Sequence, residues 1–251
     1  MIRQRLGKDL LFFDGGMGTL LQEKGLAPGE LPETWNLTHS EEIYKIHRQY
    51  IEAGSDIILT NTFGANALKF HDDSCSLEEI IKAAVSHVKK AEREALLQTG
   101  DERKIYTALD VGPTGKLLKP MGDLEFETAY EAFKEVVILG EQAGADLIHI
   151  ETMSDTYELK AAVLAAKENT SLPVFATVIF DERKKLLTGA DVSSVVALLE
   201  GLGVDALGIN CAMGPKEMLP VLEELIKYSS VPIIVKPNAG LPKQKNGQTY
   251  Y

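Results

Sequence analysis

The sequence predicts an α/β protein of the (β/α)8 barrel class, and three features of it lead there. Short apolar runs alternate with longer amphipathic segments along all 251 residues. A glycine followed two residues later by aspartate recurs between a helical pattern and an apolar run. Polar residues finish nearly every run: Asp14, Asn61, Asp110, Glu151, Asn210 with Cys211, and Asn238. In a barrel those ends converge on one face, where active sites of that fold sit. In an open doubly wound sheet they would spread along an edge.

The first run, LLFFD (10–14), leads into DGGMGT, whose glycines permit either a tight turn or close approach of the backbone to a ligand. Its spacing is not G-x-G-x-x-G, which disfavours the dinucleotide-binding open sheet. In EEIYKIHRQYIEAG, residues Ile43, Ile46, His47, Tyr50 and Ile51 share one stripe at helical spacing. The later runs are DIILTN (56–61), IYTALD (105–110), DLIHIE (146–151), PVFATVIF (173–180), ALGINC (206–211) and PIIVKP (232–237). They are aliphatic and mostly lack period-two alternation, as strands buried on both faces do. Thr38 with Glu41, Ser76 with Glu79, and Thr128 with Glu131 each fit a capping box, and Pro215 after Gly214 suits a first helical position.

EAGSDIIL, QAGADLIHI and GLGVDALGI repeat the order helix, tight turn, strand. Strands joined this way run parallel. Only seven runs can be counted, one short of a closed barrel. No Pro/Gly/Ser linker divides the chain, so a single domain over residues 1–251 is expected.

Hydrophobic residues make up 45% and charged residues 25%, ordinary for a globular chain. The formal charge of −11 disfavours nucleic acid and anionic membranes as partners. No stretch approaches the roughly 20 apolar residues that span a bilayer. The start, MIRQRLGKDLLFFDGG, lacks a signal-peptide pattern, and two cysteines make no disulfide framework. The chain reads as cytoplasmic.

Cys211 sits at a strand end, where a thiol is most often a small buried side chain. Zinc needs three or four ligands, and no second Cys or suitably spaced His accompanies it. Cys75, in DDSCSLEE, reads as structural or merely exposed. A carboxylate closing an apolar strand is costly unless it meets a cation or a donor. Glu151 therefore reads either as a holder of a substrate ammonium or as half of a salt bridge, and Asp14 carries a similar argument. Thr60, Asn61, Thr62 and Asn66 in LTNTFGAN offer hydrogen-bonding groups, and DVGPTG makes a polar turn after Asp110. His47 reads as core, His149 lies inside a strand, and His39, His71 and His87 have no paired ligand spacing.

LLFFDGGMGTLLQ, PETWNLTHSEEIYKIHRQYIEAGSDIILTNTFGAN, DVGPTG, IETMSDTYELKAAVLAA, ALGINCAMGP and KPNAG together resemble the homocysteine S-methyltransferase family over residues 8–251. The likeness is greatest to the homocysteine-binding modules of its cobalamin-dependent, methionine synthase branch. It implies a TIM barrel that binds zinc at its top face and transfers a methyl group to homocysteine sulfur, giving methionine. Under that resemblance Cys211 matches one zinc thiolate. Asp14 and Gly15 match the turn holding the amino acid, and Glu151 the carboxylate facing its ammonium. Thr60, Asn61 and Thr62 match the loop lining the pocket, and Asn210 and Asn238 match polar strand ends.

The family's other two thiolates are adjacent cysteines in a GGCC motif on the eighth strand. No Cys-Cys pair occurs here. The expectation is a barrel cut short after its seventh strand, lacking the last strand–helix unit, with an incomplete zinc site and no activity on its own. Free thiols titrate near 8.5, and zinc would make homocysteine a thiolate at neutral pH. The resemblance implies methylcobalamin as donor, carried by a separate corrinoid-binding module. The alternatives are a donor such as S-methylmethionine or betaine, or a non-catalytic subunit or fragment that binds a partner barrel or corrinoid protein. An unclosed barrel would expose two sheet edges. A second copy in a homo-oligomer, the tail LPKQKNGQTYY, or a further segment would cover them.

Overall fold

The computed structural model describes residues 2–70, 74–100 and 102–239, with the backbone alone of Lys243–Lys245 and Gln248–Tyr250. His71 lies outside the described residues. The strands are β1 (Ile57–Leu59), β2 (Tyr106–Val111), β3 (Leu147–Met153), β4 (Val174–Val178), β5 (Ala206–Asn210) and β6 (Ile233–Lys236). They form one six-stranded sheet in chain order, every pair parallel.

The first run joins the edge of this sheet beside β1 through a single bridge, Phe13 to Ile57, and is not a full strand. The reason is local. Asp14 puts its own carboxylate on the Leu59 N–H at 2.9 Å, where a partner strand would offer a carbonyl.

The helices are α1 (Met17–Glu23), α2 (Trp35–Thr38), α3 (Ser40–Ala53), α4 (Leu77–Thr99), α5 (Phe126–Ala143), α6 (Thr156–Asn169), α7 (Val192–Gly201) and α8 (Pro215–Tyr228). From α4 onward one helix separates each pair of successive strands, which forces the parallel order. The stripe on α3 is buried at Ile43, Ile46, His47 and Ile51, and half-buried at Tyr50. Ser76 and Glu79 make the expected capping box, and Pro215 opens α8 after Gly214.

The other two capping boxes do not form. Thr38 closes α2 and donates to the Thr34 carbonyl, and α3 starts after His39 without a side-chain cap. Thr128 lies inside α5, whose start is drawn back to Phe126 by ring packing against Tyr157.

Both faces of the sheet are covered. The helices pack on the outer face over Leu109, Val111, Ile148, Ile150, Val174 and Leu207. The inner face carries Ile57, Leu59, Tyr106, Ala108, Leu147, Phe175, Ala206 and Ile234, with Ile2 beneath.

The Gly-x-Asp repeat has a structural meaning that the pattern alone does not give. Gly54 and Gly144 cap α3 and α5 at φ 111° and 95°, and Gly203 turns at φ 73° just after α7, conformations open to glycine. Each following aspartate then grips the preceding strand at two points. Asp56, Asp146 and Asp205 donate backbone N–H to the carbonyls of Phe12, Thr107 and Val174. Their carboxylates accept the N–H of those same three residues, each at 2.9 Å.

Among the described residues neither the β6 edge nor the edge at segment 10–14 pairs with a further strand of this sheet, and Val235, Leu10 and Phe12 are exposed. Lys243–Lys245 and Gln248–Tyr250 pair as a short antiparallel hairpin. How the rest of the tail sits lies outside the described residues. Among the described residues, no helix is long and apolar enough to cross a membrane.

Candidate functional site

Alternation along the strands sets the character of the inner face from bottom to top. On β2 the inward series runs Tyr106, Ala108, Asp110. On β3 it runs Leu147, His149, Glu151; on β5, Ala206, Gly208, Asn210; on β6, Ile234, Lys236. A cavity of about 740 Å³ runs along this face: the uppermost member of each series lines it, and lower down Ala206, Ile234, Ile57, Leu59 and Phe175 line it too. Asp14, Gly15, Thr60, Asn61, Cys211 and Asn238 line the same cavity.

Glu151 and Lys236 form the centre of the site. Lys236 Nζ donates to Glu151 Oε2 at 2.6 Å, with the two side chains only 18% and 11% exposed. His149 Nε2 lies 3.3 Å from the same oxygen, without the alignment of a hydrogen bond. Burial alone would push Glu151 up. The Lys236 charge and its hydrogen bond outweigh it and hold the carboxyl at about 2. Burial lowers His149 further than its acidic neighbour raises it, so the imidazole is neutral. Phe13 packs at 5.0 Å from the His149 ring and 5.1 Å from Lys236 Nζ.

Two further carboxylates are buried beside this pair. Asp14 Oδ2 accepts from Leu59, while Oδ1 has no partner. Burial, only partly offset by Lys236 and the Leu59 N–H, raises Asp14 to about 7. Asp110 Oδ1 is also without a partner, and burial together with the Glu151 charge holds this carboxyl well above its usual range. A buried carboxylate oxygen without a donor is an unfilled acceptor. Three lie on residues that line this cavity, on Asp14, Asp110 and Glu33.

The Cys211 thiol sits in a strained turn. Cys211 and Ala212 have φ 55° and 59°, and Thr152 on β3 has φ 64°, all in the left-handed region. Thr152 follows Glu151 where the register between β3 and β4 shifts, a bulge that re-aims both side chains. Asn210 ties these residues together. Its Nδ2 donates to Thr152 Oγ1 at 2.7 Å and to Cys211 Sγ at 3.3 Å, and its Oδ1 accepts the Thr152 N–H. Burial, then the Glu151 charge, raise the Cys211 pKa, so by itself it is a protonated thiol.

Gly15 lies close against Tyr50, and a Cβ there would meet the Tyr50 hydroxyl at 2.7 Å, so the ring would have to shift. Asn61 donates through Nδ2 to the Pro32 carbonyl at the rim. Thr60 and Thr62 bond each other, and Thr62 donates to the Asp110 carbonyl. Thr62 does not line the cavity; it stitches the loop to β2. Asn66 is likewise turned inward, accepting the Leu68 N–H. The Asn238 N–H donates to the Met213 carbonyl and fixes the turn after β6.

Sequence reasoning missed Lys236 and Thr152, and placed His149 without a role. A usable signal existed for Lys236: a lysine ending an apolar strand needs an anion, as Glu151 needs a cation.

Zinc fits the described residues poorly. Among them no group of three His, Cys, Asp or Glu side chains is placed to hold a metal ion. Cys211 and Cys75 are both free, and Cys75 packs against the outer core, away from the cavity.

The fold has counterparts. The metallated form of the homocysteine methyltransferase MmuM from Escherichia coli superposes with a TM-score of 0.83 at 25% identity, covering 93% of this chain and 85% of that one. Its apo form gives 0.79 at 26% identity, with 93% and 84% covered. The methionine synthases of Mycobacterium leprae and Mycobacterium tuberculosis are each 34% identical over 95% and 94% of this chain. The chain spans about a fifth of those relatives, 21% of each. The profile of the homocysteine S-methyltransferase family matches residues 11–251, and the chain belongs to that family.

Proposed function

We propose that the cavity at the strand ends binds homocysteine and presents its sulfur, beside Cys211, for methylation to methionine. The observation that carries this reading is the buried, unpartnered oxygens on Asp14 and Asp110, two of the three on residues lining a cavity that also holds a thiol. An ammonium group satisfies those acceptors, and Glu151 adds a fixed negative charge beside them. Gly15 lets the backbone close over the amino acid, while Asn61, Thr60 and Asn238 shape the pocket wall. Asn210 orients Cys211.

Cys211 is the one thiol of this site that zinc would use. Its remaining ligands would come from outside the described residues, and zinc would supply deprotonation of the substrate thiol. The similarity to methionine synthases supports methylcobalamin on a corrinoid-binding module as the donor, working in the cytoplasm.

Calorimetric titration of L-homocysteine into residues 1–251 tests the reading. Binding is expected, weakened at least about tenfold by Asp14→Asn, in line with loss of a charged hydrogen bond. Equal affinity in the variant, or equal affinity for a thiol lacking the ammonium, rules it out. Turnover is not expected from these residues alone, because one thiolate does not make a zinc site.

A further inference from the structure

The site as described receives an ammonium and a thiol, and leaves the third group of the amino acid, its carboxylate, without a partner. Among the described residues that line the cavity, Lys236 is the sole lysine or arginine, against five acidic side chains: Asp9, Asp14, Glu33, Asp110 and Glu151. An anion entering this cavity has one cation to meet.

The geometry suits that meeting. Glu151 uses one oxygen to hold Lys236 Nζ at 2.6 Å, and the Phe13 ring lies 5.1 Å from the same nitrogen. An ammonium carries three hydrogens, so one bond to Glu151 leaves donors for a second anion. Lys236 is held close enough to Glu151, Asp14 and Asp110 to feel all three charges, and they keep it protonated despite its burial. An α-amino acid bears its ammonium and carboxylate on one carbon, so their receptors must be neighbours. Asp14 and Lys236 meet that requirement, with Glu151 as the charge between two cations.

We propose that Lys236 receives the α-carboxylate of the bound amino acid, with Glu151 as the positioning residue that aims it, and that this pair selects a whole α-amino acid over a simple amine thiol. The proposal rests on the homocysteine reading above. The rival explanation is that Lys236 only neutralises Glu151 and never touches the ligand.

Two ligands separate the cases: L-homocysteine, and aminopropanethiol, which is homocysteine without its carboxylate. Titrated calorimetrically into the unmodified chain, homocysteine is expected to bind at least about tenfold more tightly. Lys236→Met is expected to weaken homocysteine about ten- to a hundredfold relative to aminopropanethiol, whose ammonium loses a neighbouring like charge and should not bind more weakly. Lys236→Arg keeps the cation and should retain most of the preference. Equal binding of the two ligands by the unmodified chain overturns the assignment, as does a Lys236→Met variant that weakens both by one factor. Should Lys236→Met fail to fold, the ligand pair on the unmodified chain and on Lys236→Arg decides alone. Homocysteine binding without a carboxylate preference removes only the role of Lys236. No homocysteine binding at all removes the functional reading with it.

Discussion

Acidic side chains at the two ends of the sheet are treated in opposite ways. At the bottom, Asp56, Asp146 and Asp205 each accept a backbone N–H from the neighbouring strand and face a cation. Those cations are Arg5 at 3.6 Å, Lys89 at 2.5 Å and Arg3 at 2.5 Å respectively. At the top, Asp14 and Asp110 each keep one buried oxygen with no donor, and three carboxylates share one lysine. The bottom carboxylates complete the fold, and the top ones keep buried acceptors unfilled, which the proposed ligand would fill. This is the division of labour expected of a parallel barrel, with stability below and chemistry above. Whether an aspartate stabilises or binds is set by which end of a strand it occupies.

The largest effect is expected where the top does contain a completed pair. Glu151→Gln strands the buried Lys236 ammonium, at about 3–5 kcal/mol, the usual result of removing one partner from a buried ion pair. Urea titration at neutral pH measures it. Because the Glu151 carboxyl is depressed to about 2, its contribution is complete above the ordinary glutamate range and fades as pH falls through that value. A variant as stable as the parent would mean that the pair contributes nothing.

Next comes the bottom. Asp146→Ala removes the acceptor of the Thr107 N–H and the partner of Lys89, and should cost about 1.5–3 kcal/mol. Asp146→Asn keeps an acceptor and should recover most of that. If the two variants are equally unstable, charge and not the strand clamp is what Asp146 provides.

The sequence made these two ends unequally legible. Glycine-x-aspartate could be read three times over as a helix stop and a turn, because glycine's freedom at positive φ is a local property. Why aspartate follows was not readable, since its acceptor role depends on which strand lies alongside. The apolar runs gave six strands and the parallel order. They overstated LLFFD, where Asp14 caps Leu59 with its side chain and backbone pairing ends. The top-face residues Asp14, Glu151, Asn210 and Cys211 stood out as polar groups closing apolar runs. Lys236 did the same in PIIVKP and was passed over, because its partner is far away in sequence, on β3. Strain at Thr152 and Cys211 leaves no trace in residue type, since both are ordinary strand-end residues elsewhere.

The third prediction has the opposite sign from the first two. Asp14 is raised to about 7 in the fold, so folding takes up a proton between the ordinary aspartate range and neutrality. Its share of stability is whole below about pH 4, declines as pH rises, and is lost above about pH 7. Asp14→Asn removes a buried charge and keeps an acceptor for Leu59. It should stabilise the unliganded chain by about 1–2 kcal/mol at pH 8 and by almost nothing at pH 4. Thermal melts across that range check it, and a variant destabilised at both pH values would place Asp14 with the bottom aspartates.

The smallest effect separates the two things a bottom aspartate does. Arg3 Nε meets Asp205 Oδ1 at 2.5 Å, but the Arg3 side chain is 43% exposed. Burial opposes ionisation of Asp205, and the Arg3 bond and the Val174 N–H together outweigh it, leaving the carboxyl below its ordinary value. An ion pair this open to water is worth little, because solvent screens the attraction and ordering a long side chain offsets it. Arg3→Ala should therefore cost under about 1 kcal/mol, and less still in 1 M salt, where the screening length falls to about 3 Å. Asp205→Ala loses the Val174 N–H acceptor as well, and that bond is shielded between strands. Its cost should exceed the Arg3→Ala cost by about 1 kcal/mol or more and persist in high salt. Denaturant titrations of both variants at low and high salt decide the matter. Equal costs that vanish together in salt would make the bottom of the sheet an electrostatic device, and the contrast with the top would then rest on exposure alone.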